Sequence, residues 1–229
     1  MIMNGWVFID KPNGITSFQA VNRIKKALGV KKIGHSGTLD PFATGVLAIA
    51  IGEATKSIEL FNKSKTYEFY VSFGELKDTD DITGKTIKTS KNIPTKKDIG
   101  SCINNFLFNY EQVPPNYSAV KVDGVRAYKL ARKKKEFSLK AKKVQISNMN
   151  FFETDKSNEF RFVADCSTGT YIRSIARDLG VMLDTYAYVK ELRRTKIGQI
   201  TEKDIILLDK FLELVHICLL YTSDAADEG

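Results

Sequence analysis

The run Gly45-Val46-Leu47-Ala48-Ile49-Ala50-Ile51 constrains this chain more than any other stretch. It carries no polar side chain and is flanked by turn-forming residues, so it reads as a fully buried strand. Gly34-His35-Ser36-Gly37-Thr38-Leu39-Asp40-Pro41-Phe42-Ala43-Thr44 leads into it. Gly34 and Gly37 permit backbone angles or close approaches that a side chain would block. Pro41 pushes Asp40 out of helical geometry and leaves its carboxylate on a rigid, extended turn. A carboxylate held at the mouth of a buried strand suits a nucleophile or a base. An isolated Asp-Pro pair ordinarily does no more than turn the chain.

The rest of the chain divides into recognisable elements. Residues 5–10 (GWVFID) read as a strand, and Lys11-Pro12-Asn13-Gly14 as a turn. Thr16 or Ser17 caps a helix to Leu28, with Phe18, Val21, Ile24 and Leu28 on one face and Gly29 as its stop. A short helix begins at Gly52-Glu53-Ala54-Thr55-Lys56. Residues 66–73 alternate, with Tyr67, Phe69, Val71 and Phe73 sharing a face. Asp78 to Gly84 form an acidic loop, and Thr95 caps a helix that turns Ile99, Ile103 and Phe106 inward. Residues 117–122 read as a strand before the Asp123-Gly124 hairpin turn. Residues 141–152 and 159–166 make two more strands. A further helix runs to Leu179 and is closed by Gly180, and Glu202 to Val215 form another with an apolar face. Arg173 lies in the first turn of its helix, where the dipole opposes a cation, so it calls for a carboxylate or phosphate partner.

Strands interspersed with helices, together with the hairpin, point to an α+β fold: a mixed, mostly antiparallel central sheet with flanking helices. The chain has 229 residues and a net charge of +8, which favours a polyanionic partner. Lys133, Lys134 and Lys135, with Lys140, Lys142 and Lys143, form the densest basic region. Lys25, Lys26, Lys31 and Lys32 form a second one. Such runs are ordinarily solvated faces, and contact with phosphates is the alternative. No apolar run reaches membrane-spanning length and no secretory leader is visible, so the expected compartment is the cytoplasm. Three cysteines and two histidines, all widely spaced, argue against a disulfide framework and against zinc. The acidic loop has Ile82 where a calcium loop needs an oxygen and Thr83 where it needs glycine. No metal and no cofactor are expected.

The motifs GWVFIDKPNGITS, GHSGTLDPFATGVL, GEATK, KTYEF, GELKDTDDITG, STGTYIRSIARDLG and ELRRTKIG follow in order from about Gly5 to about Gly198. In this set the chain resembles the pseudouridine synthase family, in the branch that modifies uridine 55 of the tRNA T-loop. The resemblance implies an α+β catalytic domain over residues 1–200 that acts on the T-stem and T-loop as a monomer without cofactor. It implies Asp40 as nucleophile and Arg173 as its ion-pair partner. Tyr67 would stack on the flipped base and reach the ribose, where it is a candidate general base. Tyr171 would line the same pocket, Leu192 would pack beneath the base, and His35 would fill the space the base leaves. Lys56 would lie close to the Asp40 loop, and Asp81 would border the cleft. Residues 201–217 would begin a shortened C-terminal extension. Residues 218–229 (CLLYTSDAADEG) match nothing expected of the family and read as an altered or an artefactual terminus. Two other readings compete. A non-catalytic RNA-binding module of the same fold would leave Asp40, Tyr67 and Arg173 as a coincidence. A serine hydrolase would need glycine where Thr38 stands.

Overall fold

The computed structural model describes residues 3–61 and 63–224, with side chains as far as Cys218. The chain forms two compact units: one from the residues up to Lys65 together with those from Arg193 onward, the other from Thr66–Leu192.

In the first unit, β1 (Gly5–Lys11) is followed by α1 (Ser17–Leu28), β2 (Ile33–Ser36) and β3 (Thr44–Ile51). Thr16 starts α1 through a capping box with Gln19, and Gly29 ends it in the left-handed region at φ 63°. The stripe that α1 buries is Ser17, Ala20, Val21 and Ile24. Phe18, expected on that face, is 67% exposed. It lies about 100° around the helix from Ser17, off the centre of the stripe. β3 is the expected buried strand. β1 pairs antiparallel with its whole length, from Gly5↔Ile51 to Lys11↔Gly45. The opposite edge is shared: β2 takes Ala48 to Ile51, and a later strand takes Thr44 and Gly45. The Asp40 segment leaves β2 and enters β3 where that edge changes partner. Beyond β3, Gly52–Ser57 form the expected short helix, of 3-10 type, and Phe61 stacks on Trp6 at 4.4 Å.

β4 (Lys65–Phe73) enters the second unit at Thr66, and its Tyr67, Phe69, Val71 and Phe73 are buried as the alternation predicts. β5 (Glu75–Lys77) and β6 (Thr86–Thr89) are an antiparallel pair flanking the acidic loop. α2 (Lys96–Cys102), capped by Thr95, runs into a 3-10 turn that buries Ile103 and Phe106. Then come β7 (Tyr110–Gln112), β8 (Lys121–Val122), β9 (Val125–Arg126) and α3 (Ala127–Arg132). The strand expected over 117–122 therefore shrinks to two residues; Ser118 and Val120 are instead bonded by the backbone of α3, through Tyr128 and Ala127. The strand expected over 141–152 is two: β10 (Lys142–Val144) pairs with β7, while β11 (Ile146–Glu153) pairs with β12 (Glu159–Cys166). α4 (Ile172–Met182) continues past Gly180. A Cβ on Gly180 would meet Ala187 N at 2.7 Å, so this glycine serves close packing and not helix termination. β13 (Ala187–Ile197) completes the unit's sheet order β11-β12-β4-β13, around stacked Phe69 and Phe162 at 5.4 Å.

The last residues of β13 belong to the first unit and run parallel to β3, through Arg193↔Thr44 and Arg194↔Gly45. β14 (Ile200–Thr201) folds back on them, and β15 (Ile206–Leu207) pairs parallel with β1. α5 (Leu208–Asp224) therefore starts later than the expected Glu202 and ends later than Val215. Thr201 caps a 3-10 turn, and Ile206 is drawn into strand pairing with Ile9 before the helix can begin. Leu208, Phe211 and Leu212 dock on the core formed by Ile9, Val21, Ile24, Leu47 and Ile49. Among the described residues, no helix is long and apolar enough to cross a membrane.

Candidate active site

The proposed residues divide between the units: His35, Asp40 and Lys56 in the first, Tyr67, Asp81, Tyr171, Arg173 and Leu192 in the second.

Asp40 is half-buried, between buried Leu39 and Phe42. The backbone on each side of it is held. Ser17 Oγ accepts from Leu39 N at 2.8 Å and donates to Leu39 O at 3.1 Å. Lys11 Nζ donates to Pro41 O at 3.3 Å, and Gly14 N donates to the same oxygen at 2.9 Å. Arg194 donates through Nη2 to Gly37 O at 3.1 Å and through Nε to Val46 O at 2.8 Å. Ala43 N closes a turn on Asp40 O at 3.1 Å. The loop is thus tied to β1, α1 and β13, which suits a carboxylate that must keep one position.

Among the described residues of this unit three basic side chains are buried: Lys11 and Arg194 at 0% exposure and Lys65 at 4%. Burial pulls Lys11 down to about 8, against the pull of Asp40, which favours its charged form. Burial, then Arg194, brings Lys65 to about 8 as well. His35 sits on β2 opposite Ile49. Its pKa is lowered by burial and then by Arg194, so its imidazole is neutral at physiological pH. Its Nδ1 has no hydrogen-bond partner among the described residues. Lys56 is on the surface, its side chain 72% exposed and paired with Glu53.

In the second unit, Arg173 is 3% exposed. It donates to Thr79 O and to Tyr117 O, each at 3.1 Å, and faces Asp81 at 3.6 Å. The carboxylate that its place in the helix calls for is thus present within the unit. Asp81 Oδ1 accepts from Thr79 Oγ1 at 2.8 Å, Thr83 N at 2.9 Å and Thr83 Oγ1 at 2.5 Å. The acidic loop is also bonded to β13: Val189 N donates to Asp80 O, and Ile82 N to Val189 O. Tyr171 exchanges hydrogen bonds with the Gln112 amide at 2.7 and 3.1 Å. Tyr67 and Leu192 are each 7% exposed.

Several groups around these residues escaped the sequence reading. Arg177, one turn beyond Arg173, pairs with Asp80 at 3.5 Å and with Asp178 at 2.8 Å, and Tyr110 donates to Asp178. Burial raises Asp80 to about 6, against the pull of Arg177 and Arg173. Lys65 shares the buried face of Tyr67 and Phe69, and Arg194 has the strand parity of Leu192. That parity was a legible sign that both cations point inward. Lys129, Lys133, Lys134, Lys135, Lys140, Lys142 and Lys143 are all exposed, as are Lys31 and Lys32.

Comparison with known proteins adds a family. Residues 25–172 match the N-terminal domain of the TruB family of pseudouridylate synthases. Residues 173–225 match the C-terminal domain of tRNA pseudouridylate synthase B. Over 216 residues the chain is 47% identical to tRNA pseudouridine synthase B of Ehrlichia ruminantium, covering 93% of this chain and 73% of that one. For the Rickettsia bellii protein of the same name the identity is 44% over 216 residues, covering 93% and 74%. Among solved structures, a Cbf5-Nop10-Gar1 complex contains a chain with a TM-score of 0.71 and 28% identity, aligned over 96% of this chain and 56% of that one.

Proposed function

The chain belongs to the TruB family of pseudouridylate synthases, and we propose that it isomerises uridine 55 in the T-loop of tRNA to pseudouridine. The reaction breaks the N1–C1′ bond and makes a C5–C1′ bond. C5 gives up its proton and N1 gains one, so no group is imported and no electrons are exchanged. Asp40 is the nucleophile. Its carboxylate must be ionised and must stay in place while the base turns. The observation that carries this reading is the Asp40 loop itself, held through Gly37, Leu39 and Pro41 beside buried cations.

Tyr67 stacks on the extruded base and reaches the ribose, and Leu192 packs beneath the base. Arg173 is the ion-pair partner of Asp40, and Asp81, which faces Arg173 within the second unit, borders the cleft. Tyr171 lines the pocket. Neutral His35 takes the space of the extruded uridine, whose unstacking costs about a few kcal/mol. Lys56 serves the substrate close to the Asp40 loop, and the basic patches around Lys25–Lys32 and Lys133–Lys143 meet phosphates of the RNA. The protein works as a monomer in the cytoplasm and needs neither metal nor cofactor.

The test is a T-loop hairpin labelled with tritium at uracil C5. The parent protein releases label, while Asp40→Asn binds the hairpin and releases none. Turnover by Asp40→Asn would remove the nucleophile assignment.

A further inference from the structure

Arg194 carries a role that its place in a strand does not require. It is fully buried, and its guanidinium reaches two carbonyl oxygens, Gly37 O before Asp40 and Val46 O beyond it. Nη1 remains without a hydrogen-bond partner among the described residues. A buried cation of this kind is costly, and an apolar residue of similar volume would serve packing at least as well. What an apolar residue cannot do is hold both ends of one loop. Lysine there would place all its donors on one nitrogen, without the planar fork whose Nε and Nη2 each face a separate carbonyl.

The surroundings explain why the loop needs such a clamp. Between Gly37 and Val46 the chain crosses the point where the edge of β3 changes partner from β2 to β13. Thr38 and Pro41 are exposed there, so strand pairing alone does not hold this stretch. Ser17 and Lys11 hold the two residues adjacent to Asp40, and Arg194 holds the outer ends. Gly37 admits the guanidinium closely: a Cβ there would lie 3.4 Å from Arg194 Nη1 and 3.0 Å from Lys65 Cε.

We propose that Arg194 is a positioning residue for the reaction, clamping the Asp40 loop by its two-carbonyl fork and adding positive potential beside it. It touches no substrate; it acts through Asp40. The proposal rests on Asp40 being the nucleophile of the preceding section.

Arg194→Lys and Arg194→Met are assayed on the labelled T-loop hairpin, at a temperature where circular dichroism shows each fully folded. The expected result is a kcat at least tenfold lower in both, with hairpin affinity and KM within about twofold of the parent. Arg194→Lys retains more activity than Arg194→Met, because the charge survives without the fork. A kcat within twofold of the parent in folded Arg194→Lys and Arg194→Met overturns the proposal. So does a loss that appears equally in KM. Should neither variant fold, hydrogen exchange on the parent decides: residues 37–43 must be as protected as β3, and rapid exchange there overturns the clamp. An inactive parent would count against the reaction, whereas an active parent with fully active variants counts against Arg194 alone.

Discussion

Gly45→Ala tests how closely β3 and β13 approach beside the Asp40 loop. Gly45 has φ +102°, and an added Cβ would sit 2.9 Å from both C and N of Arg194 and nearer still to its carbonyl oxygen. A non-glycine residue forced into that region costs about 1–3 kcal/mol. The overlapping atoms are backbone and cannot rotate away, so β3 and β13 must separate. That weakens the pairing of Arg193 with Thr44 and of Arg194 with Gly45, at about 1 kcal/mol per hydrogen bond lost. The sum is about 4 kcal/mol. For a chain of 229 residues this lowers the melting temperature by roughly 8–16 °C. Gly124→Ala is the control, because Gly124 has φ +81° with nothing within 4 Å of the added Cβ. It bears the backbone strain alone, about 1 kcal/mol, or roughly 2–4 °C. Thermal unfolding followed by circular dichroism compares the two. Melting temperatures within about 3 °C of each other would refute the close-approach argument.

Arg173→Met leaves the Asp81 carboxylate buried without its counter-charge and should destabilise the protein by about 3–5 kcal/mol in urea unfolding. Adding Asp81→Asn should restore much of that stability but not label release; full recovery of activity would deny Arg173 its role. Asp80 has a folded pKa of about 6, raised from 3.8, so the native state holds this proton more tightly than the unfolded chain does. Its contribution is complete below about pH 4 and is lost as pH rises through 6, by roughly 3 kcal/mol. Asp80→Asn should therefore flatten the fall in stability between pH 4 and 7, and an unchanged difference curve would contradict the buried-carboxyl assignment. Replacing Lys133, Lys134 and Lys135 with alanine should weaken hairpin binding and reduce its salt dependence. An unaltered slope would return these lysines to a solvated face.

The readings that survived from the sequence are those set by local chemistry. The apolar run 45–51 became β3, the alternation of 66–73 became β4, and Thr16, Gln19 and Gly29 bound α1 because capping and left-handed geometry need only neighbouring residues. The motifs placed the chain in its family, since order and spacing along the chain are one-dimensional facts. Errors arose where a distant partner outweighed local preference. Ile206 joined Ile9 and delayed α5, β7 claimed Lys142–Val144, and Gly180 answered to Ala187 rather than to its own helix.

The sequence alone determined that Asp40 stands on a rigid turn before a buried strand, because proline and glycine restrict the backbone wherever they occur. It also determined that Arg173, at a helix start, needs a negative partner. Strand parity turned Lys65 and Arg194 inward; only the tertiary structure decided that Asp81 supplies a carboxylate within the same unit, and which acceptors let Lys11 and Arg194 lie away from water. Ordinary residue preference puts lysine and arginine on the surface. For Lys11 and Arg194 the exception rests on carbonyl oxygens brought together from the turn after β1, from β3 and from the Asp40 loop, and no local stretch of sequence displays them side by side.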